Sequence, residues 1–104
     1  MSRVTPILSG TLTALNQTSL TVRVHRHFNV SLWGTFSATV QVQRSFNAVD
    51  GGSTWIPVSL DSTGTAADYT AAVSVTGYEP EDEVYYRFQC TAYASGTVNY
   101  RLSQ

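Results

Sequence analysis

The strongest constraint on this chain is an alternation of apolar and polar residues that recurs along most of its length. Period two is the period of a pleated strand, which sends successive side chains to opposite faces. Between residues 36 and 46, Phe36, Ala38, Val40, Val42 and Phe46 share one face, while Ser37, Thr39, Gln41, Gln43 and Ser45 share the other. The same parity runs through Leu20, Val22 and Val24, through Phe28, Val30 and Leu32, and through Val84, Tyr86, Phe88, Cys90 and Ala92. It returns in Val98, Tyr100 and Leu102. Weaker stretches at 7–14 (Leu8, Leu12 and Ala14 inward), 55–60 (Ile56, Val58, Leu60) and 69–76 (Tyr69, Ala71, Val73, Val75) bring the expected total to about eight strands.

Turn chemistry separates these runs at Asn16-Gln17, Trp33-Gly34, Asn47 to Ser53, Asp61 to Gly64 and Gly77 to Asp82. Ala94-Ser95-Gly96 predicts a hairpin joining the strand at 84–92 to the one at 98–102. No segment keeps a helical period. The fold expected is all-β, an antiparallel two-sheet sandwich, with a jelly roll left open as its topology. Residues 1–104 form one expected domain, with 1–6 free to act as an extended arm.

Composition narrows the function classes. The chain is 42% hydrophobic and 12% charged, with a net charge of -1, which suits a buried core and gives no field that would gather nucleic acid or anionic lipid. All six basic residues are arginines, whereas Ser and Thr together number 26, so the polar surface is weakly charged and easily desolvated. Cys90 is the single cysteine and allows no internal disulfide. The first residues lack the apolar stretch of a signal peptide, and no apolar run approaches the roughly eighteen residues of a membrane span. Synthesis in a reducing cytoplasm is the expectation.

Catalytic and metal chemistry finds few residues to use. His25 and His27 form an H-x-H pair with no third ligand nearby in sequence, and read better as an exposed pair at a strand end. The acidic run Glu79-Pro80-Glu81-Asp82-Glu83 lacks the spacing of a calcium loop and reads as a solvated turn. Cys90 has inward parity beside Phe88, so its thiol is expected to be buried and inert. No nucleophile elbow, phosphate loop or zinc motif occurs, so the chain reads as non-enzymatic, with no cofactor and no metal.

Aromatic and arginine residues are what remain for recognition. Trp33 and Trp55 fall out of parity with the core residues, and Tyr85, Arg87 and Tyr93 point outward on one strand, with Arg101 on the next. Trp, Tyr and Arg dominate binding energy at protein interfaces, so these six are the interface candidates. Two exposed tryptophans would also serve a carbohydrate-binding module, and aromatics capping the ends of the sandwich are the bland alternative.

The stretch Val40-Gln41-Val42-Gln43-Arg44-Ser45-Phe46, followed by Asp50-Gly51-Gly52-Ser53-Thr54-Trp55, resembles a hairpin of small β-rich structural proteins of tailed bacteriophages. The close of the chain, Ser95 to Gln104, is similar to the end of such proteins; here Asn47-Ala48-Val49 lengthens the hairpin loop. The resemblance implies a virion structural protein made in the host cytoplasm. Its implied role is head decoration or cement, bound to the major capsid protein as a homo-dimer or homo-trimer, with a tail or neck component as the alternative.

Overall fold

Why the alternating segments join as they do is clear from a computed structural model, which describes residues 7–46, 54–59 and 67–104, with nothing stated of the side chains of Asp82 and Glu83. Among the described residues seven strands are formed: β1 (Ile7–Leu12), β2 (Val22–Trp33), β3 (Phe36–Ser45), β4 (Ile56–Pro57), β5 (Asp68–Tyr69), β6 (Val73–Gly96) and β7 (Val98–Ser103). All pairings are antiparallel, in the order β1-β7-β2-β6-β3-β4, with β5 also on β3. The all-β reading holds. Two of the strands, β2 and β6, run longer than the turn signals predict.

Two predicted breaks are bends inside continuous strands. The acidic segment at 77–82 does not end a strand: β6 runs through it, and so does β2 through His25-Arg26-His27. Val24 faces Val84 and Arg26 faces Glu79, so two steps along β2 span five along β6. The additional β6 residues bulge out, and Arg26 takes a left-handed backbone, φ 72°. Bulged strands bend, and paired strands that bend together turn the sheet over on itself. One layer is then β1, β7, the second half of β2 and the first half of β6; the other is the remainder of β6 with β3, β4 and β5. Their inner faces share one core, in which the Phe88 ring lies 4.9 Å from Tyr100 and Phe28 lies 5.0 Å from Tyr86. Phe28 and Phe88 are fully enclosed. Each such burial contributes about 1.5–3 kcal/mol.

The predicted hairpin between 84–92 and 98–102 is absent. β6 pairs with β2 and β3, whereas β7 pairs with β1 and β2, so Gly96 and Thr97 carry the chain from one layer to the other. Gly96 makes this crossing at φ 91°, where a β-carbon would lie 2.3 Å from the Thr35 carbonyl oxygen. Only glycine fits.

Other departures are slips of parity with local causes. Val22 is half-buried and Val24 fully buried as expected, but Leu20 is 80% exposed. Ser19 pairs with Phe88 and Val22 with Tyr86, which places one extra residue on the Leu20 side. In β6, Thr39 faces Ala92 and Val40 faces Cys90, so Thr91 is the additional residue; Ala92 turns outward and Tyr93 turns toward the core. Phe46 is exposed because β3 ends at Ser45. Ala14 is exposed because β1 ends at Leu12, before the turn at Asn16 with φ 65°. Ile56 and Ala71 are also exposed. Leu60 and the expected arm at 1–6 lie outside the described residues.

Candidate interaction surfaces

The six interface candidates do not form one stripe. Tyr85 and Arg87 lie on the outer face of the second layer, together with Trp55, whose ring sits 4.3 Å beneath the Arg87 guanidinium. Trp55 is therefore half-buried rather than open. Tyr93 leaves the set: it packs against the core, and its hydroxyl donates to the Gly96 carbonyl at 2.8 Å. Arg101 is not a neighbour of β6 at all. It sits on β7 between Ser9 and Ser31, on the outer face of the first layer. Trp33, 47% exposed, is on the adjacent β2, opposite Asn99. The two tryptophans thus occupy different layers and share no platform on which one sugar chain could stack.

The second layer's outer face is cross-linked by its own side chains. Gln41 Nε2 donates to Asp68 at 2.9 Å, and Gln43 Nε2 donates to Gln41 at 2.8 Å and to Gln89 at 2.7 Å. Arg87 Nε donates to Gln43 Oε1 at 2.8 Å. Burial lowers the Arg87 pKa from its ordinary value. Gln43, predicted to be a solvent-facing residue, is 5% exposed because Gln41, Gln89 and Arg87 gather over it.

The first layer's outer face is built differently. Across it run Ser9, Arg101, Ser31 and Ser74, flanked by Thr11, Asn99 and Trp33 on one side and by Ser103, Asn29 and Thr76 on the other. Ser31 and Ser74 share a hydrogen bond at 3.1 Å. No carboxylate stands on this face, and the Arg101 guanidinium has no partner among the described residues.

Between the layers lies a cluster that the sequence reading passed over. Glu79, expected in a solvated turn, is 1% exposed. Its carboxylate accepts from Arg44 Nε at 3.0 Å, Arg44 Nη2 at 2.9 Å, the Tyr86 hydroxyl at 2.8 Å and the Glu81 N–H at 3.1 Å. Arg44 also reaches Glu81 at 3.0 Å. Burial works against the Arg44 charge, yet bonding to Glu79 holds its pKa above the ordinary value; burial and the Glu79 carboxylate push the Tyr86 hydroxyl well above the usual tyrosine range. A signal for this cluster existed in parity. Arg44 follows Val40 and Val42 on the inward face, and Glu79 follows Val73, Val75 and Gly77.

Above the cluster opens a depression of about 340 Å³, walled by Ile56, Pro57 and Tyr78. A second groove of about 390 Å³ lies near Phe36, Ala38 and Tyr93. At the bend, His25 is held by both ring nitrogens: Nδ1–H donates to the Glu81 carbonyl at 3.1 Å, and Nε2 accepts from Arg26 Nε at 2.9 Å. His27 meets Tyr78 edge-on at 4.8 Å, and Gln104 Nε2 donates to the His25 carbonyl. The two histidines are therefore structural parts of the bend. Cys90 is buried with its thiol directed at the Ala92 carbonyl, 3.2 Å away, and burial raises its pKa.

No family model matches the chain, and no curated protein matches it. Among solved structures, the fold is similar to the crystal structure of SPBc2 prophage-derived protein YomS. The alignment covers 99% of this chain and 96% of that one, with a TM-score of 0.64 and 9% sequence identity. At that identity the shared property is the fold.

Proposed function

We propose that this chain is a non-enzymatic structural protein of a phage particle, in which it acts as a docking module. The observation that carries this reading is the end-to-end agreement of its fold with a protein described as prophage-derived. The phage-like residues agree with it, since β3, which carries Val40 to Ser45, pairs antiparallel with β4, which follows Trp55. Within the particle, head decoration on the major capsid protein is the favoured role, with a tail or neck position as the alternative.

The surface supports docking rather than turnover. In the depression beside Ile56 and Tyr78, the charged groups Arg44 and Glu79 are engaged with each other and with Tyr86, so the Glu79 carboxylate oxygens are taken up by donors of the chain itself. What stays uncommitted is the first layer's outer face, a flat floor of hydroxyls and amides around Trp33 and Arg101. Such groups give up water at low cost, and Trp and Arg are the residue types that anchor interfaces.

The test is co-sedimentation of the purified chain with heads and with tails prepared from particles lacking it. Saturable binding to heads, reduced by Trp33→Ala and Arg101→Ala, is expected. Binding to tails alone moves the role to the alternative, and binding to no virion part ends the proposal.

A further inference from the structure

One edge of the sheet is guarded against further pairing and the other is not. Among the described residues, beyond β3 lie only β4 and β5, two residues each, of which one carries Pro57 and the other Asp68. Short strands, proline and charge are the devices that keep an edge from recruiting another chain. β1 shows none of them. Ile7-Leu8-Ser9-Gly10-Thr11-Leu12 carries no charge and no proline, and among the described residues no strand lies on its outer side.

The direction of its free backbone groups follows from Gln17. This side chain donates Nε2 to the Thr11 carbonyl at 3.4 Å and accepts the Thr13 N–H at 2.7 Å, taking the place of a neighbouring backbone. The Thr11 carbonyl therefore points away from β7. By the two-residue period, the N–H and C=O groups of Ser9 and Ile7 point the same way.

We propose that β1 pairs antiparallel with β1 of a second copy of this chain, about a two-fold axis at Ser9. The strand is complementary to itself in that register. Ser9 meets Ser9 and Ile7 meets Thr11 on the outer face, where the Ile7 N–H replaces the long 3.4 Å contact of Gln17 on the Thr11 carbonyl, while on the inner face Leu8 comes opposite Gly10. That glycine has no side chain of its own, and the Tyr100 ring fills its place, with the hydroxyl 2.5 Å from where a β-carbon would stand. Leu8 of one copy then lies against Tyr100 of the other, and the two cores become continuous. The Ile7 side chain, 54% exposed in the single chain, gains an apolar neighbour in the Thr11 methyl.

Charge does not oppose the contact. The two Arg101 side chains, each one strand inward of Ser9, are three strand spacings apart, about 14 Å. That distance exceeds the screening length of about 8 Å at physiological ionic strength. Closed two-fold pairing also removes the open edge from both copies at once, which a head-to-tail contact would not. This inference stands apart from the virion reading, although a dimer would turn both Trp33–Arg101 faces to the same side and so double the docking surface.

Sedimentation equilibrium of the full chain, at concentrations on the order of 100 µM, tests it against the weak end of association. A dimer is expected. Ser9→Lys places two like charges on the axis and weakens dimerisation about fivefold. An equimolar mixture of Ser9→Lys and Ser9→Asp associates more tightly than either variant alone. Ser9→Pro removes the N–H at the axis and leaves monomer; circular dichroism melts verify that each variant folds. A wild type that stays monomeric overturns the proposal, as does a dimer indifferent to Ser9→Lys, or a mixture no tighter than its parts. Co-sedimentation with virions is unaffected by any of these outcomes in the wild type, so the two readings fail separately.

Discussion

The two layers hold their polar groups in opposite ways. In the second layer and at the bend, two networks tie long polar side chains together: Asp68, Gln41, Gln43, Gln89 and Arg87 form one chain of hydrogen bonds, and Glu79, Arg44, Tyr86 and Glu81 form another. The first layer presents short hydroxyls and amides with one arginine left over. A closed network fixes the shape of its own strands and has little to offer a partner. An open face costs little to dehydrate and keeps its donors for another molecule. The difference separates the half of the sandwich that maintains the fold from the half available for contact.

That contrast breaks most visibly at Glu79. Glu79→Ala leaves the half-buried Arg44 with only the exposed Glu81 as counter-charge and the Tyr86 hydroxyl without its acceptor, at an expected cost of about 2–4 kcal/mol. For a domain of this size that lowers the melting temperature by roughly 10–25 °C, readable by calorimetry. Replacing the pair together, Arg44→Met with Glu79→Leu, is expected to recover most of the loss, because apolar residues of similar volume need no partner. Should the single and double variants melt alike, the cluster is not the closed unit described.

Tyr86 adds a dependence on pH. Its folded pKa is raised above the ordinary tyrosine value of about 10, so the folded chain holds a proton that the unfolded chain gives up at high pH. Its contribution is complete below about pH 10 and is lost as pH climbs from there through the folded pKa. Urea titrations between neutral and strongly alkaline pH should show stability falling above pH 10, and the fall should diminish in Tyr86→Phe.

Smaller effects sharpen the contrast. Gln43→Ala removes the central member of the outer network and is expected to cost about 1–2 kcal/mol, measured by the urea midpoint. Arg101→Ala and Trp33→Ala lie on the open face and should each change stability by no more than about 0.5 kcal/mol. If the proposed docking role holds, they still weaken co-sedimentation with the heads or tails. Equal destabilisation by Gln43→Ala and Arg101→Ala would erase the distinction between the two faces.

Much of the fold could be read from alternation alone. Phe28, Val30 and Leu32, then Val84, Tyr86, Phe88 and Cys90, and then Val98, Tyr100 and Leu102 are all buried as their parity requires. Three misplacements share one cause, since Leu20, Ala92 and Tyr93 each lie beside a single additional residue in a ladder, whereas Phe46 and Ala14 lie beyond the ends of their strands. Parity carries no information across such a residue, because a one-position slip exchanges the faces. Of the interface candidates, Trp33 and Arg101 were legible as outward residues, but that their strands are neighbours is decided by the pairing of β2 with β7. Trp55 lay close enough to Arg87 to be covered, and only the pairing of β3 with β6 reveals it.

What the residues determine by themselves is a chain of apolar faces spaced two apart, enough to require two layers closing on a common core, together with a surface poor in charge. What the tertiary structure decided is which strands meet. The bulge at Arg26 and the bend after Glu79 are set by contacts between segments some fifty residues apart in the chain. The pairing of Arg44 with Glu79 depends on the same long-range register. Local patterns select a strand and its faces, whereas neighbours, edges and buried partners follow from an arrangement in which buried backbone groups and buried charges are satisfied together.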